Sequence, residues 1–103
     1  MPRKRRKRYI IVEASDNLPL EAVKKIIEKS HLELFGEFGL VKAGLRITKQ
    51  IDDKLIIECL NKSLNEVILS ISSITEFDGK PITFRIVRVV GTIKRAREVI
   101  VQE

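Results

Sequence analysis

Apolar residues in this chain switch repeatedly between two spacings, and the order of the switches restricts the fold more than any other feature. Residues 9–14, YIIVEA, are short, apolar and largely β-branched, as a strand requires. Leu20, Val23, Ile26 and Ile27 then recur at helical spacing, with Lys24, Lys25, Glu28 and Lys29 on the other side. Ser15, Asp16 and Asn17 are turn and cap types, and Pro19 suits a first helical turn, where its missing N–H does no harm. Gly36 and Gly39 are expected to end this helix in a loop, LFGEFGL. Val41, Ala43, Leu45 and Ile47 alternate with Lys42, Gly44, Arg46 and Thr48, which predicts a half-buried strand. A turn at Asp52 and Asp53 follows. Leu55, Ile57 and Cys59 then alternate with Lys54, Ile56 and Glu58, a second strand in hairpin register with the first.

Asn61 or Ser63 is placed to cap a second helix whose apolar stripe is Leu64, Val67, Ile68, Ile71 and Ile74. Asp78, Gly79, Lys80 and Pro81 make a turn, and residues 82–90, ITFRIVRVV, are the most strand-like run in the chain. Gly91 and Thr92 open a last helix with Ile93, Ala96, Val99 and Ile100 on its apolar side. The order strand, helix, strand, strand, helix, strand, helix predicts an α+β fold. It is a βαββαβ-type sandwich of the RNA-recognition-motif or ferredoxin-like kind: a four-stranded antiparallel sheet with helices on a face, plus a C-terminal helix.

A chain of 103 residues builds one modest core. The expected organisation is a basic tail, residues 1–8, ahead of a single domain, residues 9–103. No apolar run approaches the roughly 18 residues of a membrane span, and no secretory apolar segment follows the basic start. The single Cys59 has no disulfide partner, lies in an apolar run, and reads as a core residue of a reducing cytoplasm.

The net charge of +6 is unevenly placed. Arg3, Lys4, Arg5, Arg6, Lys7 and Arg8 are consecutive cations, while residues 9–103 hold fourteen basic and fourteen acidic side chains. Six cations in a row repel one another when free and release counterions when they meet a polyanion, so the tail points to RNA or DNA; a solubility tail or an import signal is the plainer reading.

Catalytic groups do not converge. His31 is the only histidine and has no sequence-local cysteine or carboxylate at ligand spacing, so it reads as a helix-surface or C-terminal-turn residue. Cys59 lacks a base, Asp52 and Asp53 read as turn residues, and Glu37 has no paired carboxylate nearby. Neither a phosphate-cradling glycine loop nor zinc spacing is present.

Charge converges instead near the C-terminus. Between Pro81 and Arg97 stand Arg85, Arg88, Lys94, Arg95 and Arg97, with no acid until Glu98. Plain strand geometry sends Arg85 and Arg88 to opposite faces. Lys94 and Arg95 sit in the first turn of a helix, where the dipole disfavours a cation by roughly 0.3–1 kcal/mol. A bound phosphate reverses that sign, and the N–H groups of Gly91, Thr92 and Ile93 are placed to bond it. Arg46 is a further candidate on the sheet. Base stacking is poorly supplied: the run FGEFGLV is similar to the glycine-aromatic octamer of RNA-recognition motifs but precedes the second strand, and the third strand, LIIECL, has no aromatic. The expectation is recognition of RNA shape and backbone.

Three segments carry a resemblance to a known family. RRKRYIIVE, LFGEFGLVKAGLRI and RIVRVVGTIKRAREVI together resemble the opening, the middle and the close of the small sandwich-fold protein subunit of ribonuclease P, called protein component two in archaea. The match covers nearly the whole chain, and GTIKRA is its most specific part. Eukaryotic members often carry a cysteine and a glutamine in the last helix, where Ala96 and Arg97 stand here, and some have a long polar extension beyond the position of Glu103. Both departures favour an archaeal-type member. The resemblance implies an RNA-binding subunit that supports removal of the 5′ leader from precursor tRNA. It implies that the RNA, not this chain, carries the catalytic Mg²⁺. It also implies a barrel-type protein partner, component three, in a two-plus-two assembly, with precursor tRNA met indirectly. A different class of reading is a dimeric βαββαβ module that binds a small metabolite. A third reading, an acylphosphatase-like hydrolase on the same topology, lacks the arginine-bearing phosphate loop, since residues 15–18 hold no arginine.

Overall fold

The structure, a computed structural model, describes residues 6–51 and 53–102. Four strands form one antiparallel sheet: β1 (Lys7–Ala14), β2 (Arg46–Ile51), β3 (Lys54–Leu60) and β6 (Phe84–Val90), in the order β2-β3-β1-β6. Two short strands, β4 (Glu76–Phe77) and β5 (Lys80–Pro81), form a separate hairpin through Asp78 and Gly79, both at positive φ, as a tight two-residue turn requires. The helices are α1 (Leu20–Ala43), α2 (Leu64–Ser72) and α3 (Ile93–Gln102). The α+β class and the four-stranded antiparallel sheet agree with the pattern of apolar spacings.

The helices cover both faces of the sheet, not one. Ile10, Val12 and Ala14 of β1 join Leu55, Ile57 and Cys59 of β3 and Phe84 of β6 in a core with Val23, Ile26 and Ile27 of α1 and Val67 and Ile71 of α2. The opposite side chains, Tyr9, Ile11, Ile56 and Val90, pack against Ala96, Val99 and Ile100 of α3. Residues 55–59 are therefore buried without a break. A strand covered on both faces reads as a continuous apolar run, and LIIECL carried that signal. Each fully buried isoleucine or leucine contributes roughly 1.5–3 kcal/mol. The α3 layer, with two such strand residues, Ile11 and Ile56, beneath it, is thus part of the fold and not an appendage.

Three boundaries differ from the sequence reading. The first strand begins at Lys7, so the last two cations of the basic run are strand residues. The first helix does not stop at Gly36 and Gly39. It breaks at Gly36, whose φ of 75° and ψ of 178° fit only glycine, and then resumes to Ala43. Val41 and Ala43 belong to that resumed turn and not to a strand; Gly44, in the left-handed region, closes it with its N–H on the Val41 carbonyl. Of the alternating run, Ala43 reaches the core from the helix, Leu45 and Ile47 pack against that core, and Val41 stays exposed. Ser63 stands at the start of α2 as expected, but its buried hydroxyl has no hydrogen-bond partner among the described residues and does not cap it.

Candidate nucleic-acid interface

Cross-strand register fixes which face each cation occupies. Tyr9, Ile11 and Glu13 of β1 lie on the α3 face, and residues paired directly with them share it. Glu58 pairs with Tyr9 on one side and with Arg46 on the other. Glu13 pairs with Lys54 and with Arg85. Ile11 pairs with Arg88. Arg46, Arg85 and Arg88 therefore leave the sheet on one face, the two edge strands supplying them from opposite sides.

This corrects the expected separation of Arg85 from Arg88. The β1–β6 register shifts between Ile11 and Val12, and Val87 is the extra residue. A bulge places two residues opposite one and changes the alternation beyond it. Arg88 thereby turns to the side of Arg85. Nothing in a sequence of alternating apolar and basic residues announces such a bulge.

Two carboxylates organise these cations. Arg85 donates from Nη2 and Nε to Glu13 Oε1 at 3.0 and 3.3 Å. Lys7 Nζ lies 3.7 Å from Glu58 Oε2, and Glu58 is almost wholly buried. Tyr9 titrates above its ordinary value because burial disfavours the phenolate, and the charge of Glu58 and its hydrogen bond to Tyr9 add to the effect; Arg46 opposes them. Arg88 has no ion-pair partner among the described residues.

The end of the basic run meets the start of α3. Arg8 Nε donates to Asn61 Oδ1 at 2.9 Å, and the Asn61 N–H bonds the Arg6 carbonyl at 2.8 Å. The Arg8 guanidinium reaches Gly91, which follows Val90, the partner of Tyr9. Arg8 is thus built into the body, contrary to its expected place in a tail, and Asn61 is a contact that sequence reasoning missed. Thr92 caps α3: its Oγ1 accepts the Arg95 N–H at 3.2 Å and its carbonyl accepts the Ala96 N–H at 3.1 Å. One N–H of the helix start is therefore consumed internally, while those of Ile93 and Lys94 have no partner among the described residues. Lys94, Arg95 and Arg97 are exposed, as expected of an outward face. Arg3, Lys4 and Arg5 lie outside the described residues.

Stacked bases have no platform on this sheet, since α3 covers the face an RNA-recognition motif would use. What remains is an exposed cationic surface.

The other reactive residues take structural places. Cys59 is buried, and desolvation, with Glu58 beside it, pushes its thiol up to about 11. His31 is not a surface residue: it is wholly buried between α1 and α2. The Asp53 carbonyl accepts the Ala14 N–H at 2.8 Å, a turn contact at the end of β1; Asp52 lies outside the described residues. Glu37 is exposed. No group of three or more His, Cys, Asp or Glu able to hold a metal occurs among the described residues, and none of their helices is long and apolar enough to cross a membrane. An open groove of about 460 Å³ lies between α1 and residues 73–78, with Lys25, Lys29, Glu33, Glu76 and Asp78 in its walls.

Comparison with known proteins gives one consistent answer. A model of the Rpp14/Pop5 family matches residues 8–101. The chain is 32% identical over 94 residues to the ribonuclease P protein component 2 of Pyrococcus horikoshii, covering 87% of this chain and 78% of that protein. It is 28% identical over 100 residues to the protein of the same name from Methanosarcina barkeri, covering 94% and 73%. A chain in a cryo-EM structure of yeast ribonuclease MRP shares the fold with a TM-score of 0.74 at 13% identity, covering 99% of this chain and 96% of that one. The metabolite-binding alternative finds no support among these relatives.

Proposed function

We propose, from the premise that the chain belongs to the Rpp14/Pop5 family, that it is the archaeal-type RNA-binding subunit of ribonuclease P. It supports removal of the 5′ leader from precursor tRNA in the cytoplasm. The RNA supplies the Mg²⁺ site and the chemistry; this chain supplies cations and hydrogen-bond donors that hold the RNA in its working shape.

The observation that carries the RNA reading is the single-faced array. The bulge at Val87 brings Arg88 beside Arg85, Arg46 joins them from the other edge, and Lys94, Arg95 and Arg97 project from the helix laid over the same face. The start of α3, with Gly91, Thr92 and Arg8 around it, is the point where a phosphate relieves a cation–dipole conflict. The remaining cations of the basic run, Arg3, Lys4, Arg5, Arg6 and the strand residue Lys7, extend this attraction without adding sequence preference.

The protein partner is the barrel-type component three, in a two-plus-two assembly. It docks away from the cationic face, on the resumed turn of α1, where Phe38 and Val41 are 83% and 81% exposed.

Affinity for ribonuclease P RNA measured across salt tests the RNA reading. Log affinity should fall with log salt by roughly 0.7–0.9 for each phosphate contacted. Arg88→Ala should lower the slope, and a slope near zero for the unaltered protein would remove the reading.

A further inference from the structure

Gly36 interrupts α1, so helical continuity alone does not fix the direction of the turn beyond it. That turn presents Phe38 and Val41, three residues apart and so on one side. Its charge differs from that of the α3 face: the turn carries Glu37 and Lys42, and Glu28 and Glu33 stand against Lys29 ahead of it. Such a surface has no cationic excess to draw a polyanion. It fits a protein with an apolar centre.

Beneath the turn lies His31. Its Nδ1 is 2.7 Å from Ser70 Oγ on α2, and its Nε2 is 3.3 Å from the Gly39 carbonyl. The ring tilts against Phe35 with centroids 4.9 Å apart. The Ser70 hydroxyl has one proton for two acceptors, Nδ1 at 2.7 Å and the Glu66 carbonyl at 3.0 Å. The Gly39 carbonyl can only accept, so the Nε2 contact requires the ring proton on Nε2; Nδ1 is then the acceptor and takes the Ser70 proton. The Ser30 hydroxyl, bonded to the Ser70 carbonyl at 2.6 Å, fixes the two helices against each other at the same level.

We infer that His31 is the positioning residue of this docking turn: the bond from its Nε2–H to the Gly39 carbonyl sets where Phe38 and Val41 point and so sets affinity for the protein partner. The inference rests on the docking reading given above. Its role is separate from RNA contact, because the imidazole and the cationic face lie on opposite sides of the sheet.

Two substitutions separate the two ring nitrogens. In His31→Gln the amide reaches the Nε2 position and keeps a donor for Gly39. In His31→Asn the amide stands near Nδ1, keeps Ser70, and falls short of Gly39. Ser70→Ala removes the other bond. Each variant, and the surface variant Phe38→Ser with Val41→Ser, is titrated with component three from the same organism and, separately, with the RNA. Amide hydrogen exchange is followed over residues 37–43. The surface variant should lose affinity for component three by about tenfold or more. His31→Asn should lose roughly fivefold and exchange faster over residues 37–43, while His31→Gln and Ser70→Ala stay within about twofold, and RNA affinity should not change in any of them. If the surface variant binds component three normally, the docking reading falls. If the surface variant fails but His31→Asn binds normally, only the role of His31 falls. Equal losses in Asn, Gln and Ser70→Ala, in step with lost stability, would make His31 a core residue and overturn the inference.

Discussion

Nη1 of Arg8 lies 3.0 Å from the point where a Cβ on Gly91 would sit. A cation from the basic run at the start of the chain therefore occupies the space left by a glycine at the threshold of the last helix. The two ends of the sequence meet at the place where the RNA backbone is proposed to dock.

Gly91→Ala tests that meeting. The atom in the way is the tip of a flexible side chain, so the expected cost in stability is small, within about 0.5 kcal/mol, as for most surface changes. The guanidinium must nonetheless move, and RNA affinity should fall by roughly two- to fivefold through a lost charge-assisted contact. Thermal denaturation and an RNA titration read the two effects. A large loss of stability with unchanged RNA affinity would mean that Arg8 and Gly91 form a purely structural contact.

Glu13 holds Arg85 in an exposed ion pair, with 31% and 63% of the two side chains open to water. Such a pair contributes less than about 1 kcal/mol to stability. Glu13→Gln should leave the fold intact and release Arg85 to the RNA. Affinity should rise about twofold or more at low salt, with the gain disappearing as salt screens it. Weaker binding in Glu13→Gln would show that the carboxylate positions Arg85 for contact.

Lys94 and Arg95 stand at the wrong end of α3 for cations. Changing both to Ala should leave stability the same or raise it by up to roughly 0.3–1 kcal/mol for each charge removed. Support of cleavage should fall at the same time. Unfolding of the double variant would contradict the assignment, since it would make the pair structural.

The buried thiol gives a pH dependence with a definite sign. Cys59 ionises near 9 in an unfolded chain and about 11 in the folded one. Its contribution to stability is complete below pH 9 and is lost as pH rises from 9 towards 11, because the unfolded state releases the proton first. The loss is at most about 1.4 kcal/mol per pH unit. Tyr9, also raised, acts in the same direction above its ordinary value of 10. Urea midpoints between pH 8 and 10 should decline in the unaltered protein and stay flatter in Cys59→Ala. Parallel declines would place the ionising group elsewhere.

The sequence disclosed the order of the elements because β-branched runs and helical stripes alternate cleanly along it. Its misreadings have physical causes. Val41 and Ala43 fit an alternating strand, but they lie in a helical turn ended by Gly44, where residues two apart face opposite sides, so Ala43 is buried and Val41 exposed. Arg85 and Arg88 appeared to diverge because strict alternation cannot anticipate a bulge at Val87. The burial of His31 depends on Ser70, 39 residues along the chain, and on the helix break that brings back the Gly39 carbonyl, neither of which leaves a local sign in the sequence. Within the candidate interface, the cations of the α3 segment were legible from composition alone. The built-in place of Arg8 was not, because it depends on Asn61 more than fifty residues away.

Precursor-tRNA cleavage in a reconstituted enzyme tests the central claim most directly. Ribonuclease P RNA, Mg²⁺ and component three are assayed with this protein, without it, and with the variant carrying Arg88→Ala, Lys94→Ala and Arg95→Ala; the protein is also assayed without the RNA. The account expects leader removal to accelerate when the protein is added, to fall by about tenfold or more in the triple variant, as loss of several charge-assisted phosphate contacts implies, and to be absent without the RNA. Equal cleavage with and without the protein, or leader removal by the protein alone, would contradict it.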